Sequence, residues 1–147
     1  MVAGQPYLVE RSAGYFEYQL PISLKGVIVW RDRVPLLKNE RDEWELPGGK
    51  LELGEAPRDC LRREIAEELG WNVEVGDPFH AWVYAVRPDR HVFVVTYGAR
   101  YRGDQQPRYS HEHKELQLMP IKDAVQDRVN MPQPYKEAIQ LVLDNQL

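Results

Sequence analysis

The stretch from Pro57 to Gly70, PRDCLRREIAEELG, leaves the chain the least choice of structure. Successive residues of a helix turn by about 100°. Leu61, Ile65 and Leu69 recur every fourth position, so the segment is predicted to form a helix with one buried stripe. Pro57 suits the first turn, where an N–H would have no partner anyway, and Gly70 suits a C-terminal cap. On the same wheel Glu64 and Glu68 lie beside the stripe and Glu67 lies farther out. Like charges at these spacings repel by about 0.2–0.5 kcal/mol per pair on an exposed helix. Beside a low-dielectric core the repulsion grows. Two readings follow. One is a solvated face that Arg62 and Arg63 compensate. The other is a site for a hard cation, because Mg²⁺ and Mn²⁺ prefer carboxylate oxygens.

The residues just before the helix favour the second reading. Glu52 and Glu55 sit in a glycine-punctuated loop, and Gly48 and Gly49 allow close approach of a ligand to the backbone. Arg63 neighbours the cluster and can pin one carboxylate in place.

The rest of the chain alternates strands and turns. YFEYQL (Tyr15 to Leu20) and SLKGVIVW (Ser23 to Trp30) read as strands, the second covered on both faces. RDR turns the chain, and VPLLK returns as a strand, a pattern that suits a hairpin. From Asn39 to Pro57 no period persists, so a long shaped loop is expected. HAWVYAV and HVFVVTYGARY read as strands joined by a turn at RPDR. LQLMP is a short strand, and PYKEAIQLVLDNQ an amphipathic helix with Ala138, Leu141 and Val142 on its stripe. Helices are too few for a doubly wound sheet, so a mixed sheet clasped between helices is expected, in one domain over residues 1–147.

From Gly49 to Trp71 the chain reads GKLELGEAPRDCLRREIAEELGW. This resembles the Nudix box, G-x5-E-x7-R-E-U-x-E-E-x-G-U, where U is bulky and aliphatic. Gly49, Glu55, Arg63, Glu64, Ile65, Glu67, Glu68 and Gly70 match in register. Trp71 departs from the aliphatic preference, and a packing variation is expected there. The preceding WELPGG and the strand order also resemble the family.

The resemblance implies an α/β/α sandwich with a mixed β-sheet, in which the box forms loop, helix and loop. It implies Mg²⁺- or Mn²⁺-dependent hydrolysis of a diphosphate bond in a nucleoside diphosphate linked to another group. Glu64, Glu67 and Glu68 become metal ligands, with the carbonyl of Gly49 as another. Arg63 becomes the partner that orients a catalytic carboxylate, and Glu55 supports the loop or a second metal through water. The general base is Glu64, or an acid of the later loop, Glu115 or Glu112. A (d)NTP, oxidised ones included, leads as substrate over a nucleotide sugar, ADP-ribose or a dinucleoside polyphosphate. A non-enzymatic nucleotide-binding module is the alternative class, against which the intact box glutamates stand. An isopentenyl diphosphate isomerase needs a cysteine on another element, whereas Cys60 lies in the box helix. Many relatives form homodimers, although no patch of this sequence marks such an interface.

Other signals weigh less. PGGK is no phosphate-binding P-loop, because Trp44 and Leu51 stand where that motif needs glycine and a hydroxyl residue. His111 and His113 flank Glu112, a weak zinc pattern without cysteines; a substrate contact by this segment or a plain polar loop is the better reading. Trp82 and Tyr84 alternate on one strand and therefore share a face, for core packing or for stacking a base. Tyr135 either starts the last helix or reaches a substrate. The lone cysteine makes no disulfide framework, and a cytoplasmic location is expected. A net charge of −4 argues against nucleic acid polymers, and no apolar run reaches membrane-spanning length.

Overall fold

The computed structural model describes residues 6–108 and 115–145. Strands β1 (Leu8–Ser12) and β2 (Tyr15–Tyr18) pair as a separate ribbon. Then follow β3 (Ile22–Ile28), β4 (Arg33–Lys38), β5 (Trp44–Glu45), β6 (Gly48–Lys50), α1 (Pro57–Leu69), β7 (Glu74–Arg87), β8 (Arg90–Arg100), β9 (Glu115–Pro120), α2 (Ile121–Ala124) and α3 (Gln133–Asn145). One sheet runs β6-β3-β8-β7 and is mixed, with β3 and β8 parallel. The other runs β5-β4-β9 and is antiparallel.

The expected hairpin is only a turn. Arg31 and Asp32 both adopt positive φ (54° and 61°), and Trp30 and Arg33 exchange backbone hydrogen bonds of 2.8 and 3.0 Å. Beyond that bridge β3 and β4 part into different sheets, because β3 is already flanked by β6 and β8. The expected long loop likewise contains β5 and β6, two strands too short to leave a period in the sequence.

Alternation along the strands divides the core. Leu24, Ile28, Leu37 and Tyr97 pack with Leu61, Ile65 and Leu69 of α1, whereas Val27, Val34, Leu36, Val92 and Val94 pack with Tyr135, Ala138, Ile139 and Val142 of α3. Both sheets feed both clusters, so they form one layer between helices, the α/β/α arrangement. In α3 the stripe is Tyr135, Ala138, Ile139 and Val142; Leu141 is 38% exposed and does not belong to it. Helix α1 lies close to the sheet because β3 carries Gly26, where a Cβ would sit 3.2 Å from Ile65 Cδ1. Gly70 caps the helix at φ 70°. Trp71 is buried, stacks on Tyr101 at 4.1 Å and donates its indole N–H to the Gln105 carbonyl at 2.9 Å. Cys60 is fully buried, and burial raises its thiol pKa to about 11, as suits a core residue. Among the described residues no helix is long and apolar enough to cross a membrane.

Candidate active site

The glutamates of α1 take the places that the helical wheel gives them. The Glu68 residue is 3% exposed, and its carboxylate accepts the Gly48 backbone N–H at 2.7 Å. The Glu64 side chain is 16% exposed and that of Glu67 55%. Gly49 leaves room for the carboxyl group of Glu64, which a Cβ there would displace. The helix face and the β6 backbone are thus fitted to one another.

Arg63 collects the acids. Its Nε and Nη2 grip both oxygens of Glu55 at 2.7 and 3.1 Å. Its Nη1 reaches Glu64 at 3.1 Å and Glu67 at 3.3 Å, and Nη2 lies 3.6 Å from Glu52. The hydrogen bonds from Arg63 hold Glu55 down at about 2, far below the ordinary carboxylate range, and the acids in turn raise Arg63. Glu64 and Glu67 converge on a single nitrogen, so two box carboxylates already share one positive charge. No three His, Cys, Asp or Glu side chains form a ready metal cage among the described residues. The donors fit Mg²⁺ or Mn²⁺ in kind, being carboxylate oxygens beside a glycine carbonyl.

On the α3 face of the sheet lies a groove of ≈ 250 Å³, lined by Lys25, Arg41, Glu45, Lys50, Tyr84, Arg90 and Tyr135, with Val86, Val92 and Val94 as its apolar part. Lys25 is 6% exposed, with Nζ 3.9 Å from Glu45. Burial opposes its charge, but Glu45, Tyr135, Glu68 and Glu64 outweigh burial and raise its pKa. Lys25 therefore couples the groove to the box. Tyr84 donates to Glu43 at 3.0 Å, and Arg41 Nε donates to the same oxygen at 3.1 Å. Burial, followed by Glu43, pushes the Tyr84 phenol up to about 12. Asn39 fixes the loop that carries these residues, accepting from the N–H groups of Arg41 and Glu43 and donating to Glu45.

The three aromatic residues singled out in the sequence do meet. Trp82 stacks on Tyr84 at 4.7 Å and meets Tyr135 edge-on at 5.3 Å. Tyr84 and Tyr135 line the groove, and Trp82 backs them. Glu115 is exposed at the start of β9, opposite Lys38, and no hydrogen bond or ion pair joins it to the box among the described residues. Glu112, His111 and His113 lie outside the described residues. Sequence reasoning missed Lys25, Arg41, Glu43, Glu45 and Arg90. Only Lys25 carried a signal, a lone cation within an apolar strand.

Comparison with known proteins agrees with this geometry. The family model of the NUDIX domain matches residues 24–142. A MutT-like protein of Streptomyces ambofaciens is 41% identical over 58 residues, 38% of each chain. An 8-oxo-dGTP diphosphatase of Proteus vulgaris is 39% identical over 66 residues, 42% of this chain and 58% of that one. Both alignments thus span less than two thirds of the relative's own length. Among solved structures, a NUDIX-family hydrolase from Clostridium perfringens superposes with a TM-score of 0.72 at 20% identity, covering 86% of this chain and 97% of that one. A MutT NUDIX hydrolase from Burkholderia pseudomallei does so with a TM-score of 0.65 at 26% identity, over 86% and 97%. The box in register, the mixed sheet between two helices and the match over residues 24–142 lead to one conclusion: the chain belongs to the Nudix family.

Proposed function

We propose that the protein hydrolyses a diphosphate bond in a nucleoside diphosphate derivative with Mg²⁺ or Mn²⁺, and that its substrate is a (d)NTP or an oxidised (d)NTP. The observation that carries this reading is the convergence of Glu55, Glu64 and Glu67 on Arg63, against Gly49, whose neighbour Lys50 lines a groove with more cations than acids. Glu64, Glu67, Glu68 and the Gly49 carbonyl would hold the divalent cation. When bound, the cation neutralises diphosphate oxygens and lowers the pKa of a coordinated water. The chain's own residues do the rest. Lys50 and Lys25 bring positive charge to the phosphates from the groove side. Arg63 donates to Glu64 and aims it, and Glu64 accepts the proton of the attacking water. The groove crosses the sheet from β6 to β7, three inter-strand spacings or about 14 Å. A nucleotide therefore lies with its phosphates at Lys50 and its base toward Tyr84.

The relatives named 8-oxo-dGTP diphosphatase support the oxidised triphosphate within this class. The test incubates the purified chain and its Glu68→Gln variant with dGTP, 8-oxo-dGTP, ADP-ribose, a nucleotide sugar and a diadenosine polyphosphate, each with Mg²⁺ or Mn²⁺. Cleavage of a triphosphate by the wild type, with little or none by the variant, is the expected result. Cleavage of another diphosphate alone moves the substrate class. Nucleotide binding without any cleavage makes the chain a binding module and overturns the proposal.

A further inference from the structure

The groove changes character strand by strand. The sheet order is β6-β3-β8-β7, with neighbouring strands about 4.8 Å apart. Lys50 stands on β6, Ser23 and Lys25 on β3, Val92 and Val94 on β8, and Tyr84 on β7. A lone cation thus gives way to hydrogen-bonding groups, then to an apolar floor, then to an aromatic ring. A nucleotide with its phosphates at Lys50 and its base toward Tyr84 puts its sugar over β3.

Three polar groups meet there: Lys25 of β3, Glu45 of β5, and Tyr135, which the first turn of α3 brings in. Lys25 Nζ lies 3.9 Å from Glu45 Oε1, too far for a hydrogen bond. Asn39 donates to the other Glu45 oxygen at 3.2 Å and fixes the carboxylate's orientation. Tyr135 is buried, with its ring edge-on to Trp82. Burial raises the Tyr135 pKa and Lys25 pulls it back, so the phenol keeps its proton beside the ammonium. Among the described residues neither the Lys25 ammonium nor the Tyr135 hydroxyl makes a side-chain hydrogen bond. Both are buried polar groups that line a groove, where a ligand supplies what the fold does not.

The chemistry of the three selects the ligand group. An ammonium only donates and a carboxylate only accepts. A phosphate oxygen or a keto oxygen has no proton to give Glu45, and a phosphate is also repelled by it. A hydroxyl does both. Its oxygen, about 2.8 Å from each partner, fits a pair 3.9 Å apart, accepting from Lys25 and donating to Glu45. Its second lone pair takes the Tyr135 proton. The hydroxyl that ribose and deoxyribose share in a free nucleotide is the 3′ one.

We propose that Lys25, Glu45 and Tyr135 recognise the sugar 3′-hydroxyl, and that they select nucleotides in which it is free. This rests on the reading of the groove given above. Where the 3′ oxygen is esterified, it has no proton for Glu45, so the site disfavours such nucleotides.

The test is calorimetry without divalent cation, using dGTP and 2′,3′-dideoxy-GTP. The wild type should hold dGTP about tenfold more tightly, a size expected of hydrogen bonds to charged groups. Tyr135→Phe removes no hydrogen bond of the free protein and should cut the ratio to about threefold, as should Glu45→Gln. Because each ratio is taken within one variant, a general loss of affinity does not imitate the effect. The preference between dGTP and dATP should not change in Tyr135→Phe. Equal wild-type affinity for the two guanosine nucleotides, or an unchanged ratio in either variant, overturns the inference. A changed preference between dGTP and dATP in Tyr135→Phe also overturns it and gives the phenol to the base. Discrimination without hydrolysis in Mg²⁺ would overturn the hydrolase reading and leave this inference standing. Absence of both binding and hydrolysis would overturn the reading of the groove, and this inference with it.

Discussion

The Arg63 cluster and the Lys25–Glu45 pair use the same kinds of charge for different ends. The Arg63 side chain is 31% exposed and shares itself among four carboxylates, none more than eleven residues from it in the chain. The Lys25 side chain is 8% exposed and meets Glu45 at 3.9 Å across twenty residues. Water screens the pairs to Glu52 and Glu67, so these add little to folding and those acids stay free to change partners. Water does not screen the Lys25–Glu45 pair, so Lys25 is part of the fold and its charge is fixed in place. The comparison teaches that the box is built to exchange ligands and the groove floor is built to stay.

Glu64→Gln should break the first side of that comparison most severely. It keeps shape and the neighbouring hydrogen bonds but loses the base, so kcat should fall about 10³-fold. Circular dichroism and the melting temperature should stay close to wild type, since glutamine fills the same space against Gly49 and still accepts from Arg63. A drop in melting temperature as large as the drop in rate would show that the box serves the fold after all.

Lys25→Met is the matching test of the groove floor. It removes the cation 3.9 Å from Glu45 in a poorly hydrated place, and urea unfolding should show a loss of about 3 kcal/mol. Lys25→Met with Glu45→Gln should recover part of it, because the carboxylate charge is gone. Equal losses in the single and double variants would mean that the lysine stem, not its charge, is what the core needs.

The same contrast explains what was legible in the sequence. Arg63, Glu64, Glu67 and Glu68 lie within two turns of one helix, so a wheel and a spacing rule placed them correctly relative to one another. The groove takes Lys25 from β3, Arg41 from a loop, Tyr84 from β7, Arg90 from β8 and Tyr135 from α3. No local period links them, and only strand register brings them together. The alternation of Trp82 and Tyr84 gave their shared face, but not that Tyr135 would meet Trp82. The separation of β3 from β4 was hidden for the same reason: the turn Arg31–Asp32 is local, while the parallel partner of β3 lies some seventy residues on.

The pH response sharpens the contrast further. Arg63 holds Glu55 down at about 2, below the 4.5 of an ordinary glutamate. The folded value lies below the unfolded one, so the support that Glu55 gives is complete above about pH 4.5 and fades as the pH falls toward 2. In Arg63→Met the carboxyl should titrate at or above the ordinary range, which carbon-detected NMR of Glu55 would follow. The difference in stability between wild type and variant should shrink across that window. A difference that is flat in pH would show that packing of the arginine stem, not its charge, separates the two proteins.

The smallest effect should come from Tyr84→Phe. The hydroxyl contributes one hydrogen bond, to a Glu43 oxygen that Arg41 also uses. Its loss should cost about 1 kcal/mol, or a melting temperature lower by about 2–4 °C for a chain of this size. The ring remains, so stacking on Trp82 remains. Substrate affinity should respond more than stability if the hydroxyl serves to hold Glu43 and Arg41 at the groove's edge. In a double-mutant cycle with Glu43→Gln, the second substitution should then add little to KM. Full additivity would separate the two residues and leave Arg41 held by Glu43 alone, with the phenol present only to satisfy its own burial.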